Sequence, residues 1–226
     1  MCQPHIVDAC VLDIGCGEGY CARKFVQMGA ASVVGIDISE EMIKRANARA
    51  SPNEHYFHGN AVSSNDIIKH NINYLPKSVK VELKNGCFDL VAGVFLFNYL
   101  NISQMKTVMC DTFRLLKPGG HFIFSVPNPM LPFLETANDS SFSFNTGAEE
   151  GGSMHSYFSS RDLLLSGTIK TLSGKSLNVR MMFKTLTDYI QSIQEAGLEL
   201  VQIHEAKVCN SSLHIHNSYC SKSTHK

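Results

Sequence analysis

Short apolar runs alternate with stretches of helical periodicity along most of the chain. The apolar runs predict five strands, over residues 11–14, 32–36, 55–58, 88–94 and 121–126. Apolar residues at helical spacing predict helices between them, over residues 20–28, 39–50 and 103–116. Strands that are apolar on both faces are typical of a parallel sheet covered by helices. The pattern therefore predicts an α/β fold with a doubly wound, mostly parallel sheet.

The pattern changes after the fifth predicted strand. Residues 131–184 form an insertion whose middle, residues 140–153, is rich in serine, glycine and acidic residues. Within it, residues 167–170 and 177–183 flank a Ser-Gly-Lys turn and predict a β-hairpin. A helix over residues 185–196 and a sixth strand over 198–206 are predicted to follow. Between the third and fourth strands, residues 65–72 are interpreted as a helix in a long surface connection.

The composition is that of a globular protein. With 226 residues, 44% of them hydrophobic and 18% charged, we expect one domain over residues 1–226. The 20 basic residues balance the 20 acidic ones, which disfavours a nucleic-acid partner because no overall basic field exists. No apolar run reaches the ~18 residues of a membrane span, and the N-terminus lacks the features of a signal peptide. Eight scattered cysteines without a C-x-x-C pair favour reduced thiols and a cytoplasmic location, and no metal site is predicted.

The turn after the first strand carries the clearest chemical signal. Asp13, Gly15, Gly17 and Gly19 alternate with single residues, and Asp37 ends the second strand. Glycine allows backbone angles and close ligand approach that a Cβ atom would prevent. The acid before the first glycine would repel a pyrophosphate, so it favours a ligand with a cationic or amine-bearing end over a dinucleotide.

This stretch, V-L-D-I-G-C-G-E-G-Y, resembles motif I of the class I S-adenosylmethionine-dependent methyltransferases, whose sheet is Rossmann-like. The L-L-K-P-G-G turn before the fifth strand is a second feature typical of that family. The resemblance is to the small-molecule group that includes ubiquinone and menaquinone biosynthesis enzymes. It implies S-adenosylmethionine as cofactor, S-adenosylhomocysteine as product, and a seventh, antiparallel strand, for which residues 212–219 are the candidate. It also implies a cofactor-binding core over residues 7–130, a substrate cover over 131–184 and a C-terminal helix and strands over 185–226.

The same resemblance assigns roles around the cofactor. Asp37 is expected to bind the ribose diol, Asp13 to orient the amino group, and Asn60 to meet the adenine edge. The whole expected cofactor-binding set is Asp13, Gly15, Cys16, Gly17, Gly19, Tyr20, Asp37, Ile38, Met42, Asn60, Ala61, Gly93, Val94 and Phe95.

The acceptor side is less defined by sequence. Asn98, Asn128, Tyr157 and Phe158 are the candidate substrate residues, and His155 is the candidate general base because its ordinary pKa suits proton transfer near neutral pH. The N/D-P-P-Y/F motif of methyltransferases that act on bases or glutamine is missing after the fourth strand. These features favour a small-molecule acceptor, with oxygen first and nitrogen or carbon as alternatives.

Other functions stay open at this point. The short segment before the first strand lacks the extra helices usual in the family, so a homodimer or a partner chain is a candidate source of a lid. A catalytically silent methyltransferase-like subunit that binds or activates a partner is the main alternative. A protein or RNA methyltransferase and a nicotinamide dehydrogenase are the other two.

Overall fold

The computed structural model describes residues 5–64, 68, 86–133, 142–146, 154–171, 174–205 and 218–223. Its strands are β1 Cys10–Ile14, β2 Ser32–Asp37, β3 Glu54–His58, β4 Phe88–Val94, β5 Leu116–Ser125, β6 Phe142–Asn145, β7 Leu164–Lys170, β8 Ser176–Met182, β9 Leu198–His204 and β10 Ser218–Ser223. Its helices are α1 Tyr20–Gln27, α2 Glu40–Asn47, α3 Ile102–Leu115, α4 Met154–Ser159 and α5 Leu186–Glu195. Short 3₁₀ turns span Ala61–Ser63, Leu96–Tyr99 and Leu131–Phe133.

Seven strands form the central sheet, in the order β3-β2-β1-β4-β5-β10-β9. Neighbouring strands from β3 to β5 are parallel, and all five residues of β1 are buried. The strand order reverses between β1 and β4, which in a doubly wound sheet opens a crevice at the carboxyl ends of the strands. This arrangement confirms the predicted α/β, Rossmann-like sheet.

The last strand of the sheet runs against its neighbours. β10 is antiparallel to both β5 and β9, as the family resemblance implied. It covers Ser218–Ser223, so it extends four residues beyond the predicted end at Tyr219. Residues 212–217 of that prediction lie outside the described residues, as do most of the helix predicted over 65–72 and the segment 140–153.

The fifth strand begins earlier than predicted. α3 ends at Leu115, and β5 starts at once with Leu116. The Pro-Gly-Gly sequence was expected to be a turn, but it lies within an irregular extension of the strand. There the register with β4 slips, because Phe88 pairs with Leu116 while Leu90 pairs with His121.

The insertion contributes a second, three-stranded sheet in the order β6-β7-β8. The predicted hairpin is confirmed as the antiparallel pair β7 and β8. Leu165, Met181 and Phe183 form a small apolar cluster with the partly buried Phe133, Phe144 and Tyr157. β8 also packs against the 3₁₀ turn Leu96–Tyr99, which follows β4. The small sheet is therefore held beside the carboxyl end of the main sheet.

None of the helices within the described ranges is long and apolar enough to cross a lipid bilayer.

Candidate functional site

The glycine turn follows β1 and is folded against the end of β2. Gly17 and Gly19 have φ values of 54° and 79°, in the left-handed region that glycine adopts without strain. The N–H groups of Gly15 and Cys16 both donate to the Ile36 carbonyl, at 2.8 and 3.1 Å. A side chain at Gly19 would collide with the Tyr56 ring. The spacing of the motif thus produces a tight loop across the carboxyl ends of β1 and β2.

Asp37 joins this loop to the start of the second helix. Its Oδ2 accepts the Gly17 N–H at 2.8 Å, and its Oδ1 accepts the Ser39 N–H at 2.8 Å. An ionised carboxylate has about four acceptor positions, so each oxygen retains capacity for one further donor. Asp37 both fixes the loop and stays able to bind a pair of hydroxyl groups.

Asp13 is the most perturbed acid of the site. It is 1% exposed, and burial, together with the neighbouring Asp37 charge, raises the pKa of its carboxyl from 3.8 to about 7. A backbone hydrogen bond with Ala22 opposes this rise. Its Oδ2 is shielded from solvent and accepts no hydrogen bond from any residue that the structure describes. A buried, unsatisfied carboxylate oxygen is costly, so a ligand that donates to it would be stabilised.

Two cavities flank the glycine turn, and Gly15 and Val94 line both. The first, called here the Asp37 cavity, has a volume of about 390 Å³ and the second, the Asp13 cavity, about 490 Å³. The Asp37 cavity is lined by Gly15, Ile36, Asp37, Ile38, Asn60, Ala61, Val94, Phe95, Leu96, Tyr99, Leu100 and Gln104. The Asp13 cavity is lined by Asp13, Gly15, Cys16, Gly17, Glu18, Tyr20, Cys21, Met42, Arg45 and Val94. Twelve of the fourteen expected cofactor residues thus lie together around a two-part cleft; Gly19 and Gly93 lie in the adjoining loop and strand.

Two of these residues are already engaged locally. The Asn60 carbonyl oxygen accepts the Val62 N–H at 3.1 Å and caps the 3₁₀ turn that follows. The Cys16 thiol is buried, and burial together with Asp13 and Asp37 raises its pKa far above the ordinary value. Because the thiolate is the reactive form, Cys16 contributes to the cleft by its shape and backbone rather than as a nucleophile.

A third cavity adjoins the cleft on the side of the small sheet, with a volume of about 370 Å³. Phe95 and Tyr99 line both this cavity and the Asp37 cavity. Phe95 has a φ of 56°, unusual for a bulky residue, and its N–H donates to the carbonyl oxygen of Ser125 at 3.0 Å and to its hydroxyl at 3.3 Å. We call this third space the Phe95 cavity. It is lined by Phe95, Asn98, Tyr99, Pro127, Asn128, Leu131, Phe144, Ile169, Val179, Arg180 and Met181.

The predicted acceptor residues divide between two places. Asn98 and Asn128 line the Phe95 cavity, but the Asn128 side chain accepts the Met130 N–H at 2.9 Å and donates to Glu205 at 3.1 Å. Tyr157 packs on Phe133 and Phe183 in the small-sheet cluster, and its hydroxyl accepts the Leu186 N–H.

Two further acceptor candidates lie in the short helix α4. Phe158 is 63% exposed there, away from the walls of the Phe95 cavity. His155 belongs to the same helix, but its side chain lies outside the described residues.

Sequence reasoning did not single out several lining residues. Tyr99, which separates two cavities, lies in a run of apolar residues that predicted only the opening of the substrate side. Ile169, Val179 and Met181 come from the insertion, and no local motif marks them. Alternating apolar positions in the hairpin were the available signal, but they do not reveal what the apolar face would cover.

Comparisons with known proteins agree on the family. Residues 11–120 match a family described as a methyltransferase domain. An arsenite methyltransferase of Aquipseudomonas alcaligenes is 33% identical over 126 residues, which are 54% of this chain and 34% of that protein. A demethylmenaquinone methyltransferase of Tropheryma whipplei is 31% identical over 113 residues, 50% of this chain and 39% of that protein. The chain therefore spans about a third to two fifths of the length of these relatives.

The likeness in fold covers nearly the whole chain. An S-adenosylmethionine-dependent methyltransferase from Mesorhizobium loti has a TM-score of 0.62 and 16% identity, covering 97% of this chain and 93% of that one. At this identity, the match supports the fold.

Proposed function

We propose that this chain, whose residues 11–120 belong to the methyltransferase domain family, transfers a methyl group from S-adenosylmethionine to a small-molecule acceptor. The observation that carries the proposal is the two-part cleft, with Asp37 in one part and Asp13 in the other. The chain covers only part of its relatives, so its activity and substrate are inferred from this cleft rather than carried over from them.

The Asp37 cavity suits the nucleoside part of the donor. Each Asp37 oxygen has room for one further donor, which matches the two hydroxyl groups of a ribose. Ile38 is 67% exposed beside it, and this apolar surface suits the face of an adenine ring. Asn60 and Ala61 lie in the same wall.

The Asp13 cavity suits the amino-acid part. The buried Oδ2 of Asp13 lacks a donor among the described residues, and an α-ammonium group would supply one. A positive charge at that point would also favour the ionised carboxylate and lower its pKa. A dinucleotide pyrophosphate would have the opposite effect, since it would place a negative charge beside Asp13.

Methyl transfer requires few special groups from the protein. A lone pair of the acceptor atom forms a bond to the methyl carbon while the carbon–sulfur bond breaks and its electron pair returns to sulfur. The acceptor then loses a proton if it was a hydroxyl or a protonated amine. Holding the three atoms in line within a water-poor site can supply roughly 7–11 kcal/mol. We assign Val94 and Phe95 to the point where the two ligands meet, because Phe95 lines both the Asp37 and Phe95 cavities.

A general base is needed only for some acceptors. We keep His155 as the candidate for that role, and Asn98 and Asn128 as residues that meet the acceptor. The free thiols of Cys10, Cys16, Cys87 and Cys110 are consistent with a reducing compartment, and we propose a cytoplasmic location.

Calorimetric titration tests the proposal directly. The purified chain should bind S-adenosylmethionine and S-adenosylhomocysteine with one-to-one stoichiometry and should show no heat with NAD. Absence of heat with both sulfur compounds would contradict the proposal and favour a methyltransferase-like subunit without cofactor. Binding of NAD instead would favour a dehydrogenase.

A further inference from the structure

We propose that the methyl acceptor is an uncharged, largely apolar molecule with a hydroxyl or amino group, and that it binds in the Phe95 cavity with that group toward Asn98. The inference rests on the proposed function, since it takes the neighbouring cleft as the donor site. It goes further by naming the chemical class of the acceptor.

The outer wall of the Phe95 cavity is the apolar face of the small sheet. In a strand, successive side chains point to opposite faces, and directly paired residues share a face. Val179 pairs with Gly167, which pairs in turn with Phe144, so Val179 and Phe144 share one face. Ile169 and Met181 lie on this face as well, because they are two residues from Gly167 and Val179 respectively. All four of these apolar side chains belong to residues that line the cavity.

The opposite face of the small sheet is polar throughout. Arg180 pairs with Ser166, and Thr168 pairs with Asn178. Although Arg180 is among the lining residues, alternation along β8 places its side chain on this polar face, away from Val179 and Met181. The separation of the two faces leaves its charge outside the cavity.

The inner wall is also poor in charge. Phe95, Tyr99, Pro127 and Leu131 supply it, together with two asparagines. Among the lining residues that the structure describes, no Asp, Glu, His or Lys occurs. Moving a phosphate, carboxylate or ammonium group into such a space would remove its hydration without supplying a counter-charge. The walls therefore select against charged acceptors such as nucleotides.

Asn98 gives the cavity one unsatisfied polar group. Its side-chain carbonyl oxygen is shielded from solvent and accepts no hydrogen bond within the described part of the chain. Asn128 differs, since both ends of its amide are already engaged. A hydroxyl or amino group on the acceptor would supply the donor that the Asn98 carbonyl lacks, close to the wall that this cavity shares with the donor site.

Three naphthalene compounds separate charge, polarity and apolar contact. 1-Naphthol, naphthalene and 1-naphthyl phosphate share one ring system, and their binding to the S-adenosylhomocysteine-saturated chain can be followed by ligand fluorescence. We expect 1-naphthol to bind most tightly, naphthalene several-fold more weakly, and 1-naphthyl phosphate at least about tenfold more weakly than 1-naphthol. Phosphate binding equal to or tighter than that of 1-naphthol would overturn the proposal.

Neighbouring substitutions on β8 locate the binding site. Val179→Asp places a charge on the cavity face and should weaken 1-naphthol at least about fivefold, whereas Asn178→Asp places the same charge on the opposite face and should leave it unchanged. Equal effects of the two substitutions would contradict binding in the Phe95 cavity. If Val179→Asp fails to fold, Val179→Thr keeps the shape and should still weaken 1-naphthol more than Asn178→Asp does.

Asn98→Leu tests the polar contact. It should remove the preference for 1-naphthol over naphthalene, and a retained preference would refute the role of Asn98. A titration with S-adenosylmethionine on the same preparations distinguishes the two proposals. If the donor does not bind, the proposed function fails, whereas the naphthalene series judges the chemistry of the cavity.

Discussion

Replacing Asp13 with asparagine should stabilise the chain without ligand, and increasingly so as the pH rises. The Asp13 carboxyl is almost fully buried beside Asp37, and its Oδ2 has no hydrogen-bond donor within the described residues. Asparagine has nearly the same shape and carries no charge. The substitution therefore removes an unfavourable buried charge while leaving the packing of the glycine turn in place.

The size of the effect follows from the pKa. Burial raises the pKa of Asp13 from 3.8 to about 7 in the folded chain, which corresponds to ~4 kcal/mol of cost once the carboxyl is fully ionised. Between these two values the folded state keeps a proton that the unfolded chain has released, so the contribution of Asp13 to stability falls as the pH rises through this window. From pH 5 to pH 8 the fall amounts to roughly 2–3 kcal/mol.

Urea denaturation at pH 5, 6, 7 and 8 measures this directly. The difference in free energy of unfolding between Asp13→Asn and the unaltered chain should grow by roughly 2–3 kcal/mol over the series. Asp8→Asn, which changes an exposed acid just before β1, serves as the control and should show no such growth. A difference for Asp13→Asn that stays constant within about 0.5 kcal/mol would refute the argument that Asp13 carries a buried charge near neutral pH.

The same acid should make donor binding depend on pH. If an α-ammonium group binds Asp13, the ionised carboxylate is the binding form. The affinity for S-adenosylmethionine should then fall by up to about tenfold between pH 8 and pH 6. In Asp13→Asn the affinity should be lower and nearly constant over this range. Calorimetry at the two pH values measures both, and an equally steep pH dependence in the variant would assign the effect to another group.

Three further substitutions test other parts of the site. Asp37→Ala should weaken S-adenosylmethionine about ten- to a hundredfold in calorimetry, because it removes charge-assisted bonds to the ligand and the acceptor of the Gly17 N–H; unchanged affinity would exclude the ribose role. Lys184 is buried and donates to Leu100 O at 2.6 Å, and burial lowers its pKa to about 8. Because the unfolded chain therefore holds more protons above pH 8, the stability of the unaltered chain relative to Lys184→Met should rise by roughly 2–3 kcal/mol from pH 7 to pH 10 in urea denaturation, and a flat difference would contradict this. His155→Ala should lower turnover of a hydroxyl acceptor in a product assay while donor affinity stays the same, and undiminished turnover would remove the base assignment.

The central sheet and the donor side of the site could be predicted from sequence because their signals are local. The glycine turn, the buried strand before it and Asp37 lie within about 30 residues of one another, and each residue type has a direct structural reason. Strands buried on both faces are also distinctive, which explains why β1 to β5 were found. The start of β5 was placed too late because Pro118 and Gly119 are typical of turns, whereas here they lie in an irregular pairing with β4.

The acceptor side depends on contacts between distant segments. The alternation in β7 and β8 shows that the hairpin has an apolar and a polar face, but not that the apolar face lines a cavity beside Phe95. Lys184 could be taken for an ordinary polar residue before a helix, yet it is 1% exposed and links the insertion to the turn after β4. Such links depend on how the insertion packs onto the sheet, which no short motif records.

The turn from Phe95 to Leu100 connects the donor and acceptor sides physically. It supplies walls to both the Asp37 and Phe95 cavities, and it is held at each end by a different element. Ser125, at the end of β5, accepts the Phe95 N–H at 3.0 Å, while Lys184 from the insertion donates to the Leu100 carbonyl. A shift of this turn would therefore alter both binding spaces together. The packing of the insertion and the geometry of the donor cleft are thus coupled through the turn, although only the glycine motif is evident in the sequence.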